Sequence, residues 1–143
     1  MALTVKEITL WRREIQNRPG TMASTLAPLA EAGANFRVVM GYRHPGDESK
    51  AAVEVFPVSG KKQMLAAQQS GLSPAEFPAL LVEGDDRPGL GHRFASAVAE
   101  RGINMSFMVA QVVGRKYSAI FGFETKEDAR NAASVIKKAA AKR

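Results

Sequence analysis

The chain carries one motif twice, and that doubling limits its fold more than any other feature. Arg18-Pro19-Gly20 returns 69 positions later as Arg87-Pro88-Gly89. At the same offset Ala30-Glu31 recurs as Ala99-Glu100, Gly33 as Gly102 and Asn35 as Asn104. A fixed period of this size marks two copies of one supersecondary unit. The copies are expected to divide the chain into residues 1–75 and 76–143. A half of about 70 residues buries too small a fraction of its surface to be robust alone, so the halves are expected to depend on one another.

Bulk properties exclude several classes. No apolar run approaches the ~18 residues a membrane span needs. The N-terminal stretch lacks the long apolar core of a signal peptide. Cysteine is absent from the sequence, which removes disulfide and thiolate chemistry. These features predict a cytoplasmic protein without contact to membrane. The net charge is +6 and the pI about 9.9. Such a balance fits a solvated basic surface more simply than a nucleic-acid partner. Part of it, Lys137, Lys138, Lys142 and Arg143, falls at the end of a predicted helix, where cations complement the dipole.

Hydrophobic periodicity gives the order of elements. Thr4 to Ile15 reads as one strand. Pro19 suits the first turn of a helix running to Ala32, with a kink or late start at Pro28. Gly33 supplies the left-handed stop. Asn35–Arg43 and Ala51–Val58 read as strands joined through His44-Pro45-Gly46-Asp47. Lys61–Gln69 reads as a second helix. The second copy repeats the order. Ala79–Glu83 is a strand, Pro88–Arg101 a helix, Ile103–Val113 and Tyr117–Phe123 a hairpin, and Lys126 to about Ala141 a helix. The second hairpin turn counts as two residues shorter, which aligns Phe56 with Phe123. The class is α+β: two ferredoxin-like plaits of βαββα(β) order, with antiparallel sheets and helices on one face. Neither copy shows a clear fourth strand. The extra N-terminal segment Leu3–Glu7 is expected to extend the first strand and pair with the other copy or another chain.

A strand ending in Asn/Asp-Arg-Pro-Gly, a helix ending in Ala-Glu-x-Gly-x-Asn, then a hairpin and a helix, resembles the ACT domain. The resemblance covers nearly the whole chain as a tandem pair. It implies a non-catalytic regulatory module, taking a small amino acid where ACT units meet and acting on a metabolic enzyme. The residues it implies as ligand-binding are Asn17, Arg18, Pro19, Gly20, Thr21 and Asn35. In the second copy they are Asp86, Arg87, Pro88, Gly89, Leu90 and Asn104. The first copy is also similar to the serine-binding regulatory domain of phosphoglycerate dehydrogenase. That subfamily has an Asn before Arg-Pro-Gly and an Asn two places after the helix-ending Gly. Ile15 and Gly84 stand where it carries a histidine, which leaves the choice among small amino acids open. A glycine lets a ligand approach the backbone, and the helix N-terminus beyond it presents unpaired N–H groups to a carboxylate. Each residue also has a plain structural reading. Pro-Gly can be only a turn, Asn17 and Asp86 can be N-caps, and both arginines can project to solvent.

Nothing else in the sequence points to chemistry. His44 and His92 lie in different elements without metal-ligand spacing. No nucleophile elbow, phosphate loop or dinucleotide fingerprint is present. No catalytic residue, metal or cofactor is expected. Two alternatives remain: an ACT-type interaction module with empty sites, or an RNA-binding plait. For the latter, Arg115-Lys116-Tyr117-Ser118-Ala119-Ile120-Phe121-Gly122-Phe123 faintly resembles an RNA-recognition strand. Its aromatics would have to lie on an open sheet face. A homodimer formed by edge pairing or sheet stacking is the expected assembly.

Overall fold

A computed structural model describes residues 3–142 of the chain. It contains two antiparallel four-stranded sheets and four helices. In chain order these are β1 (Thr4–Ile8), β2 (Trp11–Gln16), α1 (Thr21–Glu31), β3 (Val38–Arg43), β4 (Lys50–Phe56), α2 (Gly60–Gln69) and β5 (Ser73–Pro74). There follow β6 (Ala79–Asp85), α3 (Leu90–Glu100), β7 (Phe107–Val113), β8 (Lys116–Gly122) and α4 (Lys126–Ala141). The class read from the sequence, α+β with two ferredoxin-like plaits, is the class observed.

The chain forms two compact units. One spans Thr9–Ala75; the other joins the segment through Ile8 to everything from Glu76 onward. In the first unit the sheet order is β3-β4-β2-β5. Alternation along β2 and β4 turns Trp11, Val53 and Val55 toward α1 and α2, where they pack with Leu29, Ala66, Ala67 and Leu72. In the second unit the order is β1-β6-β8-β7. Leu80, Val82 and Phe121 face Phe94 and Val98 of α3 and Ile136 of α4. Phe94 and Val98 recur at helical spacing with Leu90, as do Ala129, Ala132, Ile136 and Ala139, and these faces are buried.

The fourth strands come from places the repeat does not show. In the first unit β5 pairs two residues against Trp11 and Arg12 of β2. In the second, β1 lies antiparallel to β6, from Thr4 opposite Glu83 to Ile8 opposite Ala79. The N-terminal segment thus pairs with the other copy rather than lengthening its own first strand. The expected strand Thr4–Ile15 is two strands separated at Thr9-Leu10, one for each unit.

Several boundaries differ from the sequence reading for local reasons. Gly20 and Gly89 have φ of +90° and +83°, outside the helical region, so α1 and α3 begin after them and exclude Pro19 and Pro88. Helix α1 runs continuously through Pro28, without a late start. Strands β3 and β7 begin at Val38 and Phe107, three and four residues later than expected. Their first cross-strand bonds come from Arg37 and Ser106, to Phe56 and Gly122. That register equates Phe56 with Gly122, so the second hairpin is three residues shorter, not two.

Candidate functional site

The doubled motif forms the turn from first strand to first helix in each unit. In the Thr9–Ala75 unit, β2 ends at Gln16 opposite Lys50. The Asn17 N–H donates to the Ser49 carbonyl at 2.9 Å, and Asn17 Nδ2 donates to the Glu48 carbonyl at 2.8 Å. Asn17 therefore fastens the loop to the β3–β4 hairpin and is not an N-cap. The Thr21 hydroxyl folds back toward the carbonyls of Gln16 (2.8 Å) and Arg18 (3.0 Å). Arg18 is exposed, and its guanidinium makes no hydrogen bond or ion pair among the described residues.

Both helices open without a side-chain cap, and neither has an acidic residue in its first turn. By contrast, α4 opens on Thr125, whose hydroxyl accepts from the Asp128 N–H at 3.0 Å, with Glu127 and Asp128 in the first turn. Among the described helices α4 alone carries a side-chain cap; α1, α2 and α3 open without one. The N–H groups of Met22 and Ala23, and of Leu90, Gly91 and His92, have no partner among the described residues. A Cβ added at Gly20 or Gly89 would meet nothing within 4 Å. Open space thus stands before two positive helix ends.

The two loops are not equivalent. In the second unit the Asp86 N–H donates to the Arg115 carbonyl at 2.8 Å, matching Asn17. Arg87, expected to reach solvent, instead donates to the carbonyls of Ala140 (2.8 Å) and Lys142 (2.7 Å). Arg93 donates to the Lys142 carbonyl as well. Helix α4 has 16 residues against 10 in α2. Its unpaired terminal carbonyls therefore reach the loop and draw in the guanidinium groups. Beside this loop, Lys116 Nζ lies 2.5 Å from Asp85 Oδ1 and holds that carboxyl below its ordinary range.

Asn35 and Asn104 do not join the loops of their own units. Asn17 is bonded to the residue preceding β4, while the segment after Asn35 is bonded to Phe56 at the other end of that strand. Seven extended residues place these ends roughly 20 Å apart. The eleven-residue helix between them gives about 16 Å. The same holds for Asp86 and Asn104 across β8. One unit therefore cannot bring both halves of the motif onto one small ligand.

The strand that resembled an RNA-recognition motif is corrected by its burial. Tyr117 is 4% exposed and Phe121 and Phe123 are fully buried, all within the core beneath α3 and α4. The Tyr117 ring meets Phe94 edge-on, with centroids 5.8 Å apart. These aromatics face the helices, so they offer bases no stacking surface. The Tyr117 hydroxyl is buried without a hydrogen-bond partner, and burial, reinforced by the charge of Asp86, raises its pKa. The histidines stand apart: His44 lies 3.7 Å from Glu14, and His92 lies 3.4 Å from Ser96.

No protein-family model matches the chain, and no curated protein matches it. Solved structures do match over most of its length. A protein from Bacteroides thetaiotaomicron superposes with a TM-score of 0.73 at 10% identity, covering 94% of this chain and 98% of its own. The regulatory subunit of aspartate kinase from Thermus thermophilus gives 0.63 at 18% identity, with 97% of each chain covered. The corresponding subunit from Thermus flavus gives 0.59 at 18% identity, again with 97% of each covered. At these identities the shared property is the fold, and it is the tandem ACT-type ferredoxin-like plait.

Proposed function

We propose that this protein is a non-catalytic regulator that binds a small amino acid at its Arg-Pro-Gly loops and passes the signal to a metabolic enzyme in the cytoplasm. One observation carries the reading. Two helices begin on left-handed glycines with bare N–H groups and open space ahead, in a chain that caps α4 with a side chain. Such an end suits a carboxylate. The regulatory aspartate kinase subunits share the fold and lend the reading support.

Each site needs an asparagine from elsewhere, because Asn35 and Asn104 lie far from their own loops. We propose that this asparagine comes from a different ACT unit, and that a homodimer is the working form. Asn17, Arg18, Gly20 and Thr21 form the readier loop, since Arg18 is free while Arg87 is held by α4. Asp86 can still pair with a ligand ammonium.

A thermal-shift screen of the twenty amino acids tests this. A ligand at a hundred times its Kd stabilises the protein by about 2.7 kcal/mol. Gly20→Val and Gly89→Val, each titrated calorimetrically with the responding amino acid, then assign the loop. Loss of binding in one variant is expected. Silence toward all twenty amino acids supports the alternative of an interaction module with empty sites.

A further inference from the structure

A groove of about 650 Å³ runs between α3 and α4, and its Lys142 end adjoins Arg87 of the second Arg-Pro-Gly loop. Its floor is small and largely apolar: Ala97 on one side, Val135 and Ala139 on the other. Its rims are cationic. Arg93 and Arg101 line the α3 side, Lys138 and Lys142 the α4 side, and Glu100 is the one acid in the lining. Arg93, Ala97 and Arg101 are spaced by four, so this face extends for about 12 Å along the helix.

Part of this charge suits the helix ends: Lys138 stands in the last turn of α4 and Arg101 at the C-cap of α3. At the α4 end, however, the carbonyls of Ala139, Ala140 and Lys142 already accept from the guanidinium groups of Arg87 and Arg93. Further cations at that end therefore meet like charge. Arg101, Lys138 and Lys142 form no ion pair among the described residues. An elongated trough with an apolar floor and unneutralised basic rims is complementary to one kind of occupant. We propose that it docks an acidic amphipathic helix of a partner protein, with aliphatic side chains on Ala97, Val135 and Ala139 and carboxylates on the rims. The lining holds no Phe, Tyr or Trp to stack on a nucleic-acid base, and its one aromatic ring, His92, lies 3.4 Å from Ser96. A phosphate alone would leave the apolar floor unused. The inference rests on the regulatory reading, since a regulator must touch what it regulates.

The probe is a fluorescein-labelled synthetic helix of about four turns. It contains leucine and glutamate, with leucine at i, i+3, i+4 and i+7. Anisotropy is measured on the full chain, with a scrambled peptide of the same composition beside it and inorganic tripolyphosphate as competitor. The amphipathic peptide is expected to bind at least about tenfold more tightly than the scramble. Arg101→Glu with Lys138→Glu is expected to weaken it roughly tenfold or more, as attraction becomes repulsion at two rim positions. Both residues are exposed, and an unchanged melting temperature shows that the fold survives. Lys138→Glu alone provides the milder variant. Gly20→Val, in the other unit, should leave peptide binding intact, so failure of the amino-acid site and failure of the groove are separable. Equal binding of the scramble, displacement by tripolyphosphate at equal charge, or indifference to the charge reversals would each overturn the proposal.

Discussion

At the scale of single residues, two positions carry opposite kinds of cost. Tyr117 buries a hydroxyl that has no hydrogen-bond partner among the described residues. Such a group forfeits its bonds to water, a penalty of about 1–3 kcal/mol. Tyr117→Phe keeps the edge-on contact with Phe94 and removes the penalty. It should raise the urea midpoint, by about 1 kcal/mol in stability; a clear loss instead would reveal an unseen partner for the hydroxyl. The same residue sets an alkaline limit. Its pKa in the folded chain is raised, first by burial. The unfolded chain therefore ionises first, near pH 10, and stability should fall above that pH. In Tyr117→Phe the fall should be shallower, as denaturation read across pH 9–11 would show. At Gly89 the cost lies in the backbone. A side chain meets no obstacle there, but φ of +83° disfavours any L-residue by roughly 1–2 kcal/mol. Gly89→Ala should show that loss in the urea midpoint without loss of cooperativity. The glycines were legible from the sequence as turn residues. The clamp on Arg87 was not, because it depends on how far α4 extends beyond the repeat.

At the scale of elements, the repeat revealed the order of strands and helices but not where two of the edges find partners. Pattern reading joined Thr4 to Ile15 because apolar residues continue through Leu10 and Trp11. No local signal tells a strand that its register partner lies some 79 positions away, as Thr4 and Glu83 do. The place of Asn35 relative to its own loop was hidden for a related reason. Sequence spacing places it near the loop residues, whereas the intervening helix carries it to the other end of the unit. The hairpin count failed by one residue because only cross-strand bonds, not spacing, show which residue opposes Val38. Strand β1 makes a sharp test. Ile8 is 5% exposed, and Leu3 and Val5 pack against the core of the second unit. Burying such side chains contributes about 1.5–3 kcal/mol each. Deleting residues 1–8 should cost about 3 kcal/mol or more and expose the β6 edge to aggregation. Urea unfolding with light scattering would show both, and unchanged stability would mean that β6 needs no neighbour.

At the scale of the whole molecule, assembly and nucleic-acid binding are the open quantities. Strand β7 is an edge, and Val109, Val112 and Val113 are half-exposed or more. It contains no charged residue and no proline, the usual guards of a free edge. The opposite edge of the same sheet, β1, carries Lys6 and Glu7. A homodimer should therefore form through β7, and sedimentation at micromolar concentration should give twice the 15.4 kDa chain mass. Val112→Lys should shift the population toward monomer without altering the melt of the isolated chain; a monomer in the parent protein would refute the dimer. Single-stranded RNA should bind weakly at physiological salt and without sequence preference, since its only attraction is to surface cations. Micromolar affinity lost on Tyr117→Ala, with the fold retained, would revive the RNA reading.

The interleaving of β1 also bears on how such a chain is made and inherited. The ribosome releases β1 first, but its partner β6 follows only after the whole Thr9–Ala75 unit has emerged. All four strands of that unit's sheet are made before β6, while β1 waits. For the gene, a break after residue 75 would carry off the neighbour's edge strand. The contiguous unit is 9–75, and a cut at its two ends leaves the strands of both sheets together.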